Sequence, residues 1–220
     1  MSDNACVGLI HATHVAIAPI HEAFSQEWPE AEIFDLLESK LSTDAARRGG
    51  ADTSFLPRFE TLTRYAFDAG ASGVLFTCSA FGAAIENAAK AFQPAPVLKP
   101  NEAMFEQALQ IGLNVGMVGT FAPAVQSMKA EFDELKQRRN PHATLEVLVA
   151  DGAIEALRNG DGALHDDLCK KAALRLKNID VLLLAHFSTA RAEECVSSVV
   201  SCPVLTSPKS AVQSLKNKLQ

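Results

Sequence analysis

The sequence lacks the features that mark several large classes of protein. Its five cysteines are odd in number and include no Cys-x-x-Cys pair, so we expect neither a disulfide framework nor a structural zinc site. No apolar run approaches the roughly 18 residues of a membrane-spanning helix. Residues Met1–Asn4 carry no basic n-region, so we expect no signal peptide and a cytoplasmic location.

Charge and cofactor motifs are also informative by their absence. The chain has 20 Lys and Arg against 26 Asp and Glu, with no basic stripe, which argues against nucleic acid as a partner. There is no Walker A sequence and no G-x-G-x-x-G turn after a predicted strand, so we expect no nucleotide cofactor. Three N-terminal histidines lack the ligand spacing of zinc motifs, so we expect no metal. They are His11, His14 and His21.

What the chain does contain is a regular alternation of short apolar runs with longer segments of helical pattern. Such alternation is typical of βα units and predicts an α/β fold with parallel sheets. The eight predicted strands are residues 6–10, 31–34, 73–76, 96–98, 115–118, 145–149, 181–184 and 203–205. One of the helices is predicted from Asn101 to Gln110, with Asn101 as its capping residue and Gly112 at its end.

An internal repeat organises these elements. The segment Val7–Ile10 matches Val115–Val118 at an offset of 108 residues, and residues 74–76 match residues 182–184 at the same offset. Four strands recur in the same order, which predicts a duplication into two pseudo-symmetric parallel-sheet α/β domains. We place them at residues 1–100 and 101–220, with the C-terminal helix able to pack on the first half.

The duplication predicts where a ligand would bind. Ligands of open parallel sheets bind at the carboxyl ends of the strands, so we expect the active site in a cleft between the two domains. The offset places Cys78, after the third strand, opposite His186, after the seventh. We therefore expect two ionisable side chains to approach one cleft from opposite sides.

Each of these two residues has a chemical and a structural interpretation. A thiol between a strand and a helix N-terminus is favoured as thiolate, so Cys78 is the candidate catalytic cysteine, the alternative being a small buried hydrophobe. Histidine suits proton transfer near neutral pH, and the alternative for His186 is a polar group held by a hydrogen bond. The other four cysteines are expected to be structural: Cys6, Cys169, Cys195 and Cys202.

Hydroxyl groups cluster at the same predicted strand ends, where they could bind a carboxylate together with backbone N–H groups. Singly, each is equally typical of a helix cap. His11, directly after the first strand, is either a cleft residue or a structural one. The residues we expect to contact substrate are His11, Thr77, Ser79, Ala80, Thr120, Phe121, Phe187, Ser188 and Thr189.

Three segments, Gly73–Gly82, Gly119-Thr120 and Leu184–Ser188, resemble the aspartate/glutamate/hydantoin racemase superfamily, which also includes arylmalonate decarboxylase and maleate isomerase. The resemblance spans nearly the whole chain and is most specific around Cys78. It implies two pseudo-symmetric α/β domains and cofactor-independent chemistry at carbon acids.

Carried over residue by residue, the resemblance assigns roles to five positions. Cys78 matches the cysteine of the first half, Ser79 a carboxylate-binding polar residue, and Thr120 a polar residue after the fifth strand. His11 stands where amino-acid racemases commonly have an aspartate. His186 occupies the position of the second cysteine, so the resemblance does not extend to symmetric two-thiol chemistry.

From these observations we expect a cofactor-independent racemase or epimerase acting at the carbon α to the carboxylate of a small amino-acid-like substrate. Cys78 would transfer the proton on one face, with His186 in place of the second cysteine. The alternatives are a decarboxylase or cis-trans isomerase of a small dicarboxylate that uses Cys78 alone, a non-catalytic anion-binding module, or an oligomer scaffold. The expected partner is a small carboxylate substrate, without nucleic acid or membrane, and a homodimer or higher homo-oligomer remains open.

Overall fold

The chain contains two four-stranded sheets in which all neighbouring strands are parallel. A computed structural model describes residues 5–220. Residues Met1–Asn4, on which the expectation of no signal peptide depends, lie outside the described residues. The two sheets, each flanked by helices, confirm the predicted α/β class.

The first sheet has the strand order β2-β1-β3-β4 and the second the order β6-β5-β7-β8. Every strand overlaps one of the apolar runs, so all eight predicted strands are confirmed. Their bounds are β1 Cys6–His11, β2 Glu32–Leu37, β3 Gly73–Phe76, β4 Val97–Leu98, β5 Asn114–Gly119, β6 Thr144–Val149, β7 Val181–Leu184 and β8 Val204–Thr206.

Helices connect successive strands, as right-handed parallel crossovers require. The α-helices of the described chain are α1 Ile17–Glu27, α2 Lys40–Arg48, α3 Leu56–Asp68, α4 Gly82–Ala91, α5 Glu102–Ile111, α6 Ala122–Arg139, α7 Ala153–Arg158, α8 Gly162–Ala173, α9 Glu193–Ser197 and α10 Ser207–Leu219.

The duplication predicted from the offset is confirmed by strand order and by register. Val7 of β1 pairs with Gly73 of β3, and 108 residues later Val115 of β5 pairs with Val181 of β7. The two sheets also place their strands in the same relative order. Equivalent positions in the two halves can therefore be compared residue by residue.

The described chain divides into two compact units. The first extends to Pro100 and also includes Ala211–Gln220, and the second is Asn101–Ser210. The boundary near the C-terminus thus falls within α10. Leu215 of this helix packs close to Gly73, where a β-carbon would lie 3.1 Å from Leu215 Cδ1.

Aromatic rings dominate the core of the first unit. Phe59 is 1% exposed and lies with its ring centroid 4.9 Å from that of Phe76 and 5.1 Å from that of Phe81. The ring centroid of Phe55 lies 5.2 Å from that of Phe81 in the same core cluster. Burying one such side chain contributes about 1.5–3 kcal/mol, so this cluster fixes the residues that follow β3.

The prediction that Gly112 ends α5 is confirmed, whereas the prediction that Asn101 caps it is wrong. Asn101 precedes the helix, but its side chain does not cap it and instead accepts a hydrogen bond of 2.8 Å from Ser207 Oγ. Gly112 follows the helix with an extended φ of −169°, so no left-handed turn explains the glycine. A β-carbon there would overlap Asp180, and the glycine therefore serves close packing.

Candidate active site

Cys78 and His186 occupy equivalent places in their own units. Cys78 is separated from β3 by Thr77 and starts the short 3-10 helix Ser79–Phe81. His186 is separated from β7 by Ala185 and starts the 3-10 helix Phe187–Ala192. In each unit, an ionisable residue thus stands two positions after the end of the third strand in sequence order.

The thiol of Cys78 lies against the aromatic cluster of the first unit and is only partly exposed. Burial raises the pKa of Cys78, and a hydrogen bond from the backbone N–H of Ala80 opposes this only in part. The expectation of a thiolate-favouring position is therefore wrong for this structure. The physical reason is that a hydrogen bond from one N–H of a three-residue helix lowers the thiol pKa less than the apolar surroundings raise it.

His186 is a strained and unpartnered residue. Its φ of 74° is unusual for a residue with a side chain, and such a conformation costs about 1–3 kcal/mol. Neither ring nitrogen has a hydrogen-bond partner of normal geometry among residues 5–220. Burial lowers the pKa of His186 to about 4, with the Ala185 carbonyl opposing the shift only in part. The imidazole is therefore neutral near pH 7 and has a free lone pair.

Hydroxyl groups of the second unit gather at the ends of β5 and β7. Thr120 and Thr189 are 3% and 0% exposed, and their Oγ1 atoms lie 3.4 Å apart. Phe187 and Ser188 are also buried, whereas Phe121 is 44% exposed. The structure thus brings two of the predicted hydroxyls together and leaves one predicted aromatic on the surface.

His11, the last residue of β1, is fully buried and has two side-chain partners. Its Nδ1 lies 2.9 Å from Thr77 Oγ1, and its Nε2 lies 2.8 Å from Asp35 Oδ1. Both ring nitrogens of His11 are therefore occupied by protein groups, as expected for a histidine with a structural role. Of the other predicted contact residues in this unit, Ser79 is half-buried and Ala80 is exposed.

Sequence reasoning missed three polar residues near strand ends. Asp35 lies within β2 and also binds His21 Nε2 at 2.9 Å. Lys99 follows β4, is 8% exposed and lies 2.7 Å from Glu86 Oε1. Thr206 ends β8 and is 2% exposed, with no partner for Oγ1 in the described part of the chain. A single acid inside an apolar run was the signal that could have identified Asp35.

Among residues 5–220, no three or more His, Cys, Asp or Glu side chains are grouped so that they could hold a metal ion. No helix in this range is long and apolar enough to cross a membrane.

The chain was compared with known families, curated proteins and solved structures. No family model and no curated protein matches it. Glutamate racemase from Francisella tularensis has a similar structure, with a TM-score of 0.70 and 16% identity, over 99% of this chain and 83% of that one. Aspartate racemase from Picrophilus torridus gives a TM-score of 0.69 and 14% identity, over 98% and 94%.

Arylmalonate decarboxylase in its unliganded form is equally similar, with a TM-score of 0.70 and 14% identity over 99% of this chain and 93% of that one. At these identities the likeness concerns the fold. The chain thus has the same fold as these two racemases and this decarboxylase, which are the kinds of protein that the sequence resemblance named.

Proposed function

We propose that the protein is a cofactor-independent racemase or epimerase acting at the carbon α to the carboxylate of a small amino-acid-like substrate. Cys78 and His186 are the two side chains that move the proton. The observation that carries this proposal is their equivalence after β3 and β7. It is supported by the opposite directions in which burial shifts their pKa values, upward for Cys78 and downward for His186. The racemases with the same fold support the choice of reaction.

The two resting states make a matched acid and base. Neutral His186 accepts the α-proton on one face of the substrate, and the electrons of the broken C–H bond move onto the carboxylate to form an enediolate. The Cys78 thiol then donates its proton to the other face, which forms the new C–H bond and leaves a thiolate and an imidazolium. That second state processes the opposite enantiomer, so both directions balance in protons.

The enediolate needs hydrogen-bond donors, because its negative charge develops on the carboxylate oxygens. Ser79 and the backbone N–H groups of its short helix are proposed donors in the first unit. Thr120, Ser188 and Thr189 are proposed donors in the second. A bound carboxylate would also raise the pKa of His186 from its low value, which makes the imidazole a stronger base when substrate is present.

Decarboxylation by Cys78 alone is the second candidate, and the protonated thiol favours it. The C–C bond to one carboxylate breaks and carbon dioxide leaves. The bonding electron pair stays on the substrate, where it is shared with the remaining carboxylate as an enediolate. Cys78 then protonates the carbanionic carbon, and solvent returns the proton to sulfur. Arylmalonate decarboxylase, with the same fold, supports this alternative.

The experiment that tests the proposal follows the α-proton. Aspartate, glutamate and an arylmalonate are incubated with the protein in D₂O, and NMR measures exchange while chiral chromatography measures inversion. We expect Cys78→Ala and His186→Ala each to abolish inversion, while exchange persists in Cys78→Ala on the face where His186 acts as the base. Release of carbon dioxide that survives in His186→Ala selects decarboxylation instead.

Two variants serve as matched controls. Cys202→Ala removes another half-buried thiol and His142→Ala an exposed imidazole, and both should keep wild-type turnover. Unchanged turnover in Cys78→Ala contradicts both candidates.

A further inference from the structure

A chain of hydrogen bonds crosses three neighbouring strands of the first sheet and ends at the residue before Cys78. Asp35 lies on β2 and His11 on β1, and Thr77 directly follows β3. The two bonds measure 2.8 Å from His11 Nε2 to Asp35 Oδ1 and 2.9 Å from His11 Nδ1 to Thr77 Oγ1. We call these three residues the Asp35 ladder. His11 and Thr77 are 0% and 6% exposed, so water scarcely competes for their bonds.

The direction of each bond follows from the chemistry of the groups. Partial burial acts to raise the pKa of Asp35, but the hydrogen bonds from His21 and His11 prevail and lower it. An ionised carboxylate only accepts, so the proton of His11 is on Nε2. Burial lowers the pKa of His11 against the opposing effect of Asp35, which keeps the ring neutral. Neutral His11 therefore accepts at Nδ1, and the Thr77 hydroxyl donates.

This direction changes what Thr77 can do. Its single hydrogen is used by His11, and the other acceptor within reach, the Ile10 carbonyl, is farther away at 3.4 Å. Thr77 is thereby unable to donate to a substrate carboxylate while the ladder is intact. It instead ties the start of the turn that carries Cys78 to the end of β1.

The second unit has no counterpart of the ladder. The residues equivalent to His11 and Thr77 at the 108-residue offset are Gly119 and Ala185, and neither side chain can form a hydrogen bond. The ladder is thus confined to the half that carries the thiol.

We propose that Asp35 and His11 are positioning residues for Cys78, acting through Thr77, and that Thr77 is a tether of the Cys78 turn and not a carboxylate donor. The inference rests on the proposed function only for the role of the thiol. Its test uses the free protein and no substrate, so its failure leaves the proposed reaction standing and is distinguishable from failure of that reaction.

The variants differ in one group at a time. Thr77→Val removes the hydroxyl at nearly constant volume, Thr77→Ser restores it, and Asp35→Asn removes the charge. Asp166→Asn is the matched control, because His165 Nδ1 and Asp166 Oδ1 form a similar pair, 2.7 Å apart, on α8 of the second unit. His165 is as fully buried as His11.

Two measurements decide the outcome. The rate of Cys78 carbamidomethylation by iodoacetamide, followed by peptide mass spectrometry across pH, reports the thiol. We expect Thr77→Val and Asp35→Asn to increase that rate by roughly threefold or more, the effect of losing one ordinary hydrogen bond. Thr77→Ser should restore the wild-type alkylation profile. Asp166→Asn should lower the melting temperature without changing the alkylation profile of Cys78.

Nitrogen-15 NMR of the histidine rings provides the second readout. We expect the His11 proton on Nε2 in the wild type and a changed tautomer balance in Asp35→Asn. A wild-type alkylation profile in folded Thr77→Val, or a His11 proton on Nδ1, overturns the inference. If Asp35→Asn does not fold, Thr77→Val decides the outcome alone, since it removes a single oxygen.

Discussion

Gly119 lies beside the ring of His186: a β-carbon at position 119 would be in ordinary contact with it, 3.6 Å from Cε1 of that histidine. The same atom would lie only 2.6 Å from Cγ2 of Val125, which is 5% exposed and belongs to the first turns of α6. At the equivalent place in the first sheet stands His11. The two units therefore use equivalent positions differently. Gly119 lacks a β-carbon and so leaves space for Val125, whereas His11 forms hydrogen bonds through its ring.

Gly119→Ala should be destabilising for this reason. Val125 is β-branched and buried, so it must shift with α6, and overpacking of this kind costs about 1–3 kcal/mol. Gly82→Ala is the control, because a β-carbon there meets nothing within 4 Å. Urea unfolding should show a lower midpoint for the first variant and little change for the second. Equal midpoints would show that Val125 yields freely.

The lowered pKa of His186 predicts that the protein loses stability in weak acid. Its folded pKa of about 4 lies below the ordinary value of 6.5, so the unfolded chain binds the proton more readily. The contribution of neutral His186 to the free energy of unfolding is fully present above pH 6.5. It is lost as the pH falls toward 4, and the loss amounts to up to about 3 kcal/mol.

Denaturant unfolding at pH 7 and at pH 4.5 measures that loss. His186→Gln should flatten the difference between the two pH values, whereas His142→Gln, at an exposed site, should preserve it. A wild-type pH dependence in His186→Gln would contradict the assignment.

The thiols should be unreactive in the free protein. Burial raises the pKa of Cys78 above its ordinary value and raises that of Cys169 to about 12. Alkylation of Cys78 should therefore be slow at pH 7 and accelerate above pH 9, and Cys169 should react only after unfolding. Labelling in urea provides the reference for all five cysteines. Rapid labelling of Cys78 at pH 7 in the native protein would instead support a stabilised thiolate.

The fold could be predicted from the sequence because buried parallel strands are continuous apolar runs and because the duplication repeats them. The bounds of β3 and β7 were predicted to the residue. β2 was predicted to end at Phe34, but it continues to Leu37. The cause is Asp35, which interrupts the apolar run because its carboxylate binds His11 and His21.

The site was less accessible to sequence reasoning. The equivalence of Cys78 and His186 within their own units followed from a constant offset between two stretches of sequence, each of which can be recognised locally. Their protonation states depend on burial by residues distant in sequence, such as Phe55 and Phe59 in the cluster that packs against Cys78. The Asp35 ladder joins residues that are 24 and 66 positions apart. No pattern within one segment of the chain contains that information.

The aromatic cluster supplies the last prediction, because it both holds the first unit together and shields the thiol. Phe59 and Phe105 are matched for the comparison, being 1% and 0% exposed, one in each unit. Phe59 stacks on Phe76 and lies tilted against Phe81 in the cluster that contacts Cys78. Phe105 instead packs edge-on against Phe132, with the ring centroids 5.6 Å apart.

Replacing either ring by alanine removes a large buried side chain and leaves a cavity, which costs about 3–5 kcal/mol. We therefore expect Phe59→Ala and Phe105→Ala to lower the free energy of unfolding by similar amounts. Only Phe59→Ala should speed the alkylation of Cys78, because only that change opens the apolar surroundings that keep the thiol protonated. Equal acceleration in both variants would mean that general loosening exposes the thiol, and no acceleration in Phe59→Ala would mean that the cluster does not control it.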